Sequence, residues 1–238
     1  MSPSPASTPV TRLSDYWDER DNRILCASDL PEAEVSIRFG GDRNRLVVAA
    51  GARLRRLNVE FRGSGAELQV GACGASLTVL LGSGCQVRLG HGLTTTGTLY
   101  MTAFEGSAIS IGADCMVAGG VQIRADDGHP IFDVTSGRRL NRSRPVVVGD
   151  HVWLGEGSVL LNGSEVGSGS IVGTRAVVKG QFANNCVLAG VPARVTRRDV
   201  AWERFHLSQE GRFTDEGVLH DPGDRHYWRI TEAPEGGP

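Results

Sequence analysis

A six-residue period constrains this chain more than any other feature. From Val148 the sequence reads VGDHVW, LGEGSV, LLNGSE, VGSGSI, VGTRAV and VKGQFA, six blocks without slippage. Val148, Leu154, Leu160, Val166, Val172 and Val178 open the blocks, and Gly follows in four of the six. The fifth position holds Val152, Ser158, Ser164, Ser170 and Ala176 before Phe182 breaks the run. Each block is then one short strand and a corner, with the aliphatic residue inward and three blocks to a coil. Gly suits the corner, where a side chain would clash or φ turns positive. The spacing predicts that residues 18 apart stack and residues 6 apart lie on different faces.

The period continues upstream in another phase, through Leu81, Val87, Leu93, Leu99, Ile111, Val117 and Ile123, with Glu105 the one polar intruder. From Ile123 to Val148 is 25 residues, not a multiple of six, so something is inserted between two regular stretches. The insert occupies about residues 124–147 and reads RADDGHPIFDVTSGRRLNRSRP from Arg124 to Pro145. A long polar loop in a tight solenoid is a place for function. Before Leu81 the pattern blurs into alternation with frequent Gly, read as looser coils of the same solenoid. The expected organisation is a mobile N-terminal arm over 1–30, a β-helix domain over 31–198 and a C-terminal extension over 199–238. DVAWERFHLSQEGR in that extension is compatible with a short helix.

A net charge of −2 offers no basic face for nucleic acid, and Lys179 is the single lysine among 25 basic residues, a bias of composition. No stretch approaches the ~20 apolar residues of a membrane span. The N-terminus lacks a basic region followed by an apolar core, so the expected location is cytoplasmic. Five cysteines are an odd number, and Cys73, Cys85 and Cys115, counted modulo 18, fall on three different faces as small core residues. Of the six histidines no two are five apart, which argues against a three-histidine zinc site, and no metal is expected. His91 and His151 read as surface or corner residues. His129 lies in the insert beside Asp126 and Asp127. A neutral imidazole suits proton abstraction near pH 7. Its second nitrogen needs a partner to fix the tautomer, and Asp127, Asp126 or a backbone carbonyl can supply one.

ISIGADCMVAGGVQIRADDGHPIFD, GRRLN, PVVVGDHVWLGEGSVLL and VLAGVPARV, followed by Asp199 to Trp202, together resemble the hexapeptide-repeat acyltransferases with a left-handed parallel β-helix. The branch they are most similar to O-acetylates bacterial polysaccharide or related glycans. The resemblance covers about Ile109 to Trp202. It implies a homotrimer that binds acetyl-CoA, or another acyl-CoA, in the groove between neighbouring β-helices. By position the base is His129, and the acceptor is a saccharide hydroxyl on a glycan or small molecule. It lays the cofactor along the C-terminal coils, against Ala189, Gly190, Pro192 and Ala193. Trp153 is then a candidate to flank the pantetheine arm, and Lys179, Arg194, Arg197 and Arg198 to meet phosphates. Asp133 and Asn141 are candidates to bind acceptor or brace the loop. No Cys or Ser stands out as a nucleophile, so direct transfer is expected. The alternatives are N-acetylation of a nucleotide-linked amino sugar, or a binding scaffold that kept the fold without the chemistry.

Overall fold

The aliphatic first positions of the repeat stack as the spacing requires. Val148 lies opposite Val166, Leu154 opposite Val172 and Leu160 opposite Val178, each pair in parallel register. Residues six apart fall on three successive faces. The computed structural model describes residues 8–28, 30–205 and 226–232, and its described elements are all β-strands. They form a parallel β-helix, an all-β solenoid.

One sheet covers the first face, in the order Tyr16–Trp17, Arg23–Cys26, Arg45–Val48, Glu67–Val70, Gln86–Leu89, Ala108–Ile111, Val146–Val148, Glu165–Val166 and Gln181–Phe182. The other sheet starts as the long strands Glu34–Phe39, Arg53–Phe61, Gly74–Leu81 and Thr94–Ala103. Thr94–Ala103 pairs at its start with Met116–Val117 and at its end with Gln122–Arg124. From there the sheet divides into a second face, carrying Trp153–Leu154, Ile171–Val172 and Val187–Gly190, and a third, carrying Val159–Leu160 and Val177–Val178. The first corner joins faces one and two, and the third corner joins face three to the next coil's face one.

Coil length drifts along the axis. Leu46 pairs with Leu68 and Val87 with Ile109, both 22 residues on. The step is 18 for Val148 to Val166, and 16 for Val166 to Phe182 and Val172 to Leu188. The looser N-terminal coils are therefore longer, with one bent strand in place of two strands and a corner. This corrects the cysteine reading. Backbone hydrogen bonds run from Gly74 to Leu93 and from Thr94 to Cys115, so Cys73 and Cys115 share the first-corner stack with Leu93 between them. Cys85 sits in the third-corner stack with Ala66 and Ser107. A count modulo 18 fails where the coil is not 18 residues long. All five thiols are free. Burial pushes Cys73 up to about 11 and Cys115 up to about 12.

Ile111 pairs with Val148, Val117 with Leu154 and Ile123 with Leu160, all 37 residues apart. Against the 18-residue step that follows, 37 makes the insert's addition 19 residues, and the pairing on all three faces resumes without a slip.

Both ends are covered. Tyr16–Trp17 turns antiparallel onto Arg23–Cys26, and Val10 bridges Ile37. Ile24 is fully buried and Tyr16, Phe39 and Phe61 stack in sequence. Residues 10–26, which composition assigns to an arm, thus pair with the first coils, because alternation in RILC matches the pleat. Residues 1–7 of the expected arm lie outside the described residues. At the other end Ala193–Arg197 folds back antiparallel on Val187–Gly190. Asp199–Phe205 carries no helix, and the remainder of the helix expected there lies outside the described residues.

Candidate active site at the third corner

The insert leaves the solenoid after Gln122–Arg124 and is pinned to coils on both sides of it. From the preceding coil comes Glu105, whose φ of +58° is a left-handed conformation unusual for Glu. Its carboxylate accepts hydrogen bonds from Arg139 Nη1 and from Ser143 N and Oγ. The Arg139 guanidinium, followed by the Ser143 hydroxyl and N–H, holds the Glu105 carboxyl down at about 2. An outlier of this kind costs about 1–3 kcal/mol and persists where surroundings over-determine it. The polar intruder of the repeat is thus the clamp under the insert.

From the following coils come Asn162 and Lys179. Lys179 Nζ donates to the carbonyl oxygen of Asn162 (2.6 Å) and to its Oδ1. Asn162, 5% exposed, donates through Nδ2 to Asp127 Oδ1 at 2.8 Å. Asp127 Oδ2 accepts from Asn141 Nδ2 at 3.0 Å, and the same amide donates to the backbone carbonyl of His129 at 2.8 Å. Asn141 Oδ1 accepts from the N–H of Ile131 at 2.7 Å. Within the loop, Phe132 and Arg139 form an isolated bridge. Asp133 Oδ1 accepts from Thr135 N, Ser136 N and Ser136 Oγ, and these hydrogen bonds lower its carboxyl pKa, the Ser136 N–H foremost.

His129 itself is exposed, and its ring makes no hydrogen bond to any described residue. Neither neighbouring carboxylate fixes its tautomer. Both oxygens of Asp127 are taken by Asn141 and Asn162. Asp126 is buried, spends Oδ1 on the N–H of Gly128 in a local turn, and keeps Oδ2 buried without a partner. A short Asp side chain reaches the backbone two residues on more readily than it reaches a ring three residues away.

The residues assigned to the acyl donor divide. Lys179 belongs to the third corner with its ammonium on Asn162. Trp153 is on the second face, 38% exposed, its ring centroid 6.1 Å from that of Trp202. Ala189 and Gly190 end the last strand of the same face, and past the turn at Pro192 Ala193 is buried while Arg194, Arg197 and Arg198 are exposed. So His129, Asp126, Asp127, Asn141 and Lys179 converge at one corner, Asp133 braces the loop's turn, and the remaining donor candidates lie on another face.

The first corner carries a structure the repeat gave no hint of. Asp114, His151 and Asn185 occupy its left-handed position, with φ of +55°, +52° and +52°. Gly169 stands between the last two, where a Cβ would come within 2.7 Å of Asn185 Nδ2. All three side chains hold the C-terminal segment. His151 is buried, bonded through Nδ1 to Asp114 Oδ2 (2.6 Å) and through Nε2 to the carbonyl of Trp202 (3.0 Å). Its ring is sandwiched between Trp202 and Tyr227, with centroids at 4.0 and 4.4 Å. Arg204 reaches Asp114, and Asn185 Nδ2 donates to the carbonyls of Val200 and Tyr227. His151 is therefore a corner residue but not a surface one. Nothing in its own block distinguishes it; its partners lie 37 and 51 positions away.

Comparison with known proteins places the chain. Residues 145–180 match the family model described as bacterial transferase hexapeptide (six repeats). The chain is 33% identical over 125 residues to a polysialic acid O-acetyltransferase of Neisseria meningitidis, covering 52% of this chain and 58% of that protein. It is 32% identical over 111 residues to a polysialic acid O-acetyltransferase of Escherichia coli O1:K1 / APEC, covering 47% and 36%. These matches therefore span between about a third and three-fifths of those curated relatives' length. Among solved structures, the polySia specific acetyltransferase NeuO superposes with a TM-score of 0.75 at 30% identity, over 79% of this chain and 87% of that one.

Proposed function

Because this chain belongs to the hexapeptide-repeat acyltransferase family, we propose that it transfers an acetyl group from acetyl-CoA to a hydroxyl of a polysaccharide, with His129 as general base. The observation that carries the proposal is the pairing of an exposed imidazole, hydrogen-bonded to no described residue, with a loop held at both ends by Glu105 and Asn162. A base must be rigidly placed yet have a nitrogen available to the acceptor. Among the described residues, the loop that carries His129 combines the two.

The reaction needs no covalent enzyme intermediate. The neutral ring takes the proton of the acceptor hydroxyl as its oxygen attacks the thioester carbonyl. The tetrahedral intermediate then collapses, the C–S bond breaks, and the imidazolium returns the proton to the departing thiolate. The products are the O-acetyl sugar and free coenzyme A. Trp153, Ala189, Gly190, Pro192, Ala193, Arg194 and Arg197 are the residues that would receive the donor. They stand on the second face, whereas His129 stands at the third corner, so a groove between two copies is the arrangement that unites them. The insert supports this with Ile131, Phe132, Val134 and Leu140, apolar side chains 54%, 55%, 99% and 62% exposed in one chain. A homotrimer closes such a groove three times by symmetry. No helix among the described residues is long and apolar enough to cross a membrane.

The test is transfer of labelled acetyl from acetyl-CoA to a panel of glycans, headed by a sialic acid polymer because the relatives carry that name. Light scattering on the same sample should return three times the 25.4 kDa chain mass. Label on an amine-bearing nucleotide sugar and on no hydroxyl would replace this reading with N-acetylation. No transfer to any acceptor, together with no thermal shift on adding coenzyme A, would return the chain to a scaffold.

A further inference from the structure

The only lysine of the chain sits at the end of a hydrogen-bond series that terminates on the backbone of His129. The series runs from Lys179 through Asn162, Asp127 and Asn141, and every contact in it is 3.0 Å or less. It crosses coils: Asn162 and Lys179 lie at the third corner of successive turns, while Asp127 and Asn141 lie on the insert. Asn162 is buried, so an amide there must find partners for both its ends. Lys179 meets Oδ1 and thereby fixes which way the amide points, leaving Nδ2 aimed at Asp127. With Oδ1 and Nδ2 exchanged, the amide oxygen would face the Asp127 carboxylate.

We propose that Lys179 and Asn162 are positioning residues for the acyl transfer, setting the place of His129 through Asp127 and Asn141 rather than binding the phosphates of the donor. The proposal rests on the reading of His129 as base. The composition sharpens it. A chain that uses arginine at every other basic position carries lysine where one compact ammonium must reach two oxygens of the same residue. Asp127, held between two amides, also keeps a carboxylate two residues from the ring that becomes positive during transfer.

Lys179→Met, Asn162→Ala and the double variant separate the possibilities. Turnover and KM for acetyl-CoA are measured with the acceptor that the glycan panel returns, or with water as acceptor if it returns none. Hydrogen exchange of residues 125–141 is followed in parallel. Displacing a base by about 1 Å costs up to ~100-fold. Each single variant should lose about 10–100-fold in kcat with KM for acetyl-CoA within about threefold of the parent. The double variant should be no worse than the poorer single, because both act in one series. Exchange over 125–141 should quicken while the coils stay protected, and Lys179→Arg should restore part of kcat. A raised KM with kcat unchanged would make Lys179 a donor contact and overturn the proposal. So would unchanged exchange in the loop, or additive losses. His129→Ala serves as the reference: if it keeps full turnover the base reading fails, while loop exchange in Lys179→Met still decides whether the series positions the loop.

Discussion

His129 stands on an exposed loop at the third corner with its ring bonded to no described residue, whereas His151 is buried at the first corner with both ring nitrogens engaged. The two occupy the same solenoid and the same stretch of coils, yet their surroundings are opposite in kind. At the third corner the hydrogen bonds go to the loop around the histidine: to its backbone carbonyl, to Asp127, to Asn141. At the first corner they go to the imidazole itself, and aromatic rings cover both its faces. Rigid support with a free ring is what the proposed base requires. A ring with no nitrogen to spare is a structural cross-link between the solenoid and its C-terminal segment. The difference teaches that a carboxylate adjacent in sequence need not engage an imidazole, whereas one 37 positions away can.

The largest effect that can break this contrast is on activity. His129→Ala should lower turnover by ~10²–10⁴-fold. Its urea midpoint should stay with the parent's, since the ring contributes no hydrogen bond to the described fold. A near-parental rate would move the base elsewhere and dissolve the comparison. Next comes stability at the other corner. His151→Ala removes two hydrogen bonds and a ring stacked on both faces, and should cost about 3 kcal/mol in urea unfolding. A loss under about 1 kcal/mol would mean the C-terminal segment is held by Asn185 and Arg204 without it.

A smaller effect tests the clamp. The Glu105 carboxyl titrates at about 2 in the fold against an ordinary 4.5. A depressed carboxyl contributes stability that is present above its unfolded value and lost as pH falls through the folded one. Its side chain is 43% exposed, so water screens the pair with Arg139 and the contribution stays below about 1 kcal/mol. Glu105→Gln should therefore be slightly less stable than the parent at pH 6, and the gap should close as pH drops from about 4.5 toward 2. A gap that widens on acidification would reverse the sign and remove the clamp. The smallest effect concerns the first-corner core. With burial holding Cys115 up at about 12, a thiol reagent at pH 8 should leave it unmodified until the protein unfolds. Rapid modification in the folded state would show that the corner opens.

The acidic clamp was visible in the sequence as Glu105 interrupting a run of aliphatics, and could have been read as a contact for the insert. Asn162 carried no such signal. It is the third residue of an ordinary block, and only the return of the insert to the same corner gives it a purpose. The assignment of Lys179 to a phosphate failed to foresee its contact for the same reason: basic side chains near an expected anion look alike until their partners are seen. Asp127 and Asp126 were found, but as braces for the loop and its turn, not as partners of the ring.

The sequence by itself determined the solenoid, the inward residues from Ile111 to Val178, the position of the insert and the histidine within it. That information is periodic and local: a strand of two residues, a corner and an aliphatic knob repeat every six positions, and an interruption shows as a break in phase. Tertiary structure decided the uneven length of the N-terminal coils, 22 residues from Leu46 to Leu68 and 19 from Leu68 to Val87, and with it which cysteines share a stack. It also decided which corner the insert and His129 return to, on which face Trp153 and Gly190 stand, and which of two histidines is sealed. Those facts depend on what a coil meets one turn above or below and on where a returning segment docks. In this solenoid such neighbours lie 16 or more residues away, and no local pattern in the chain encodes them.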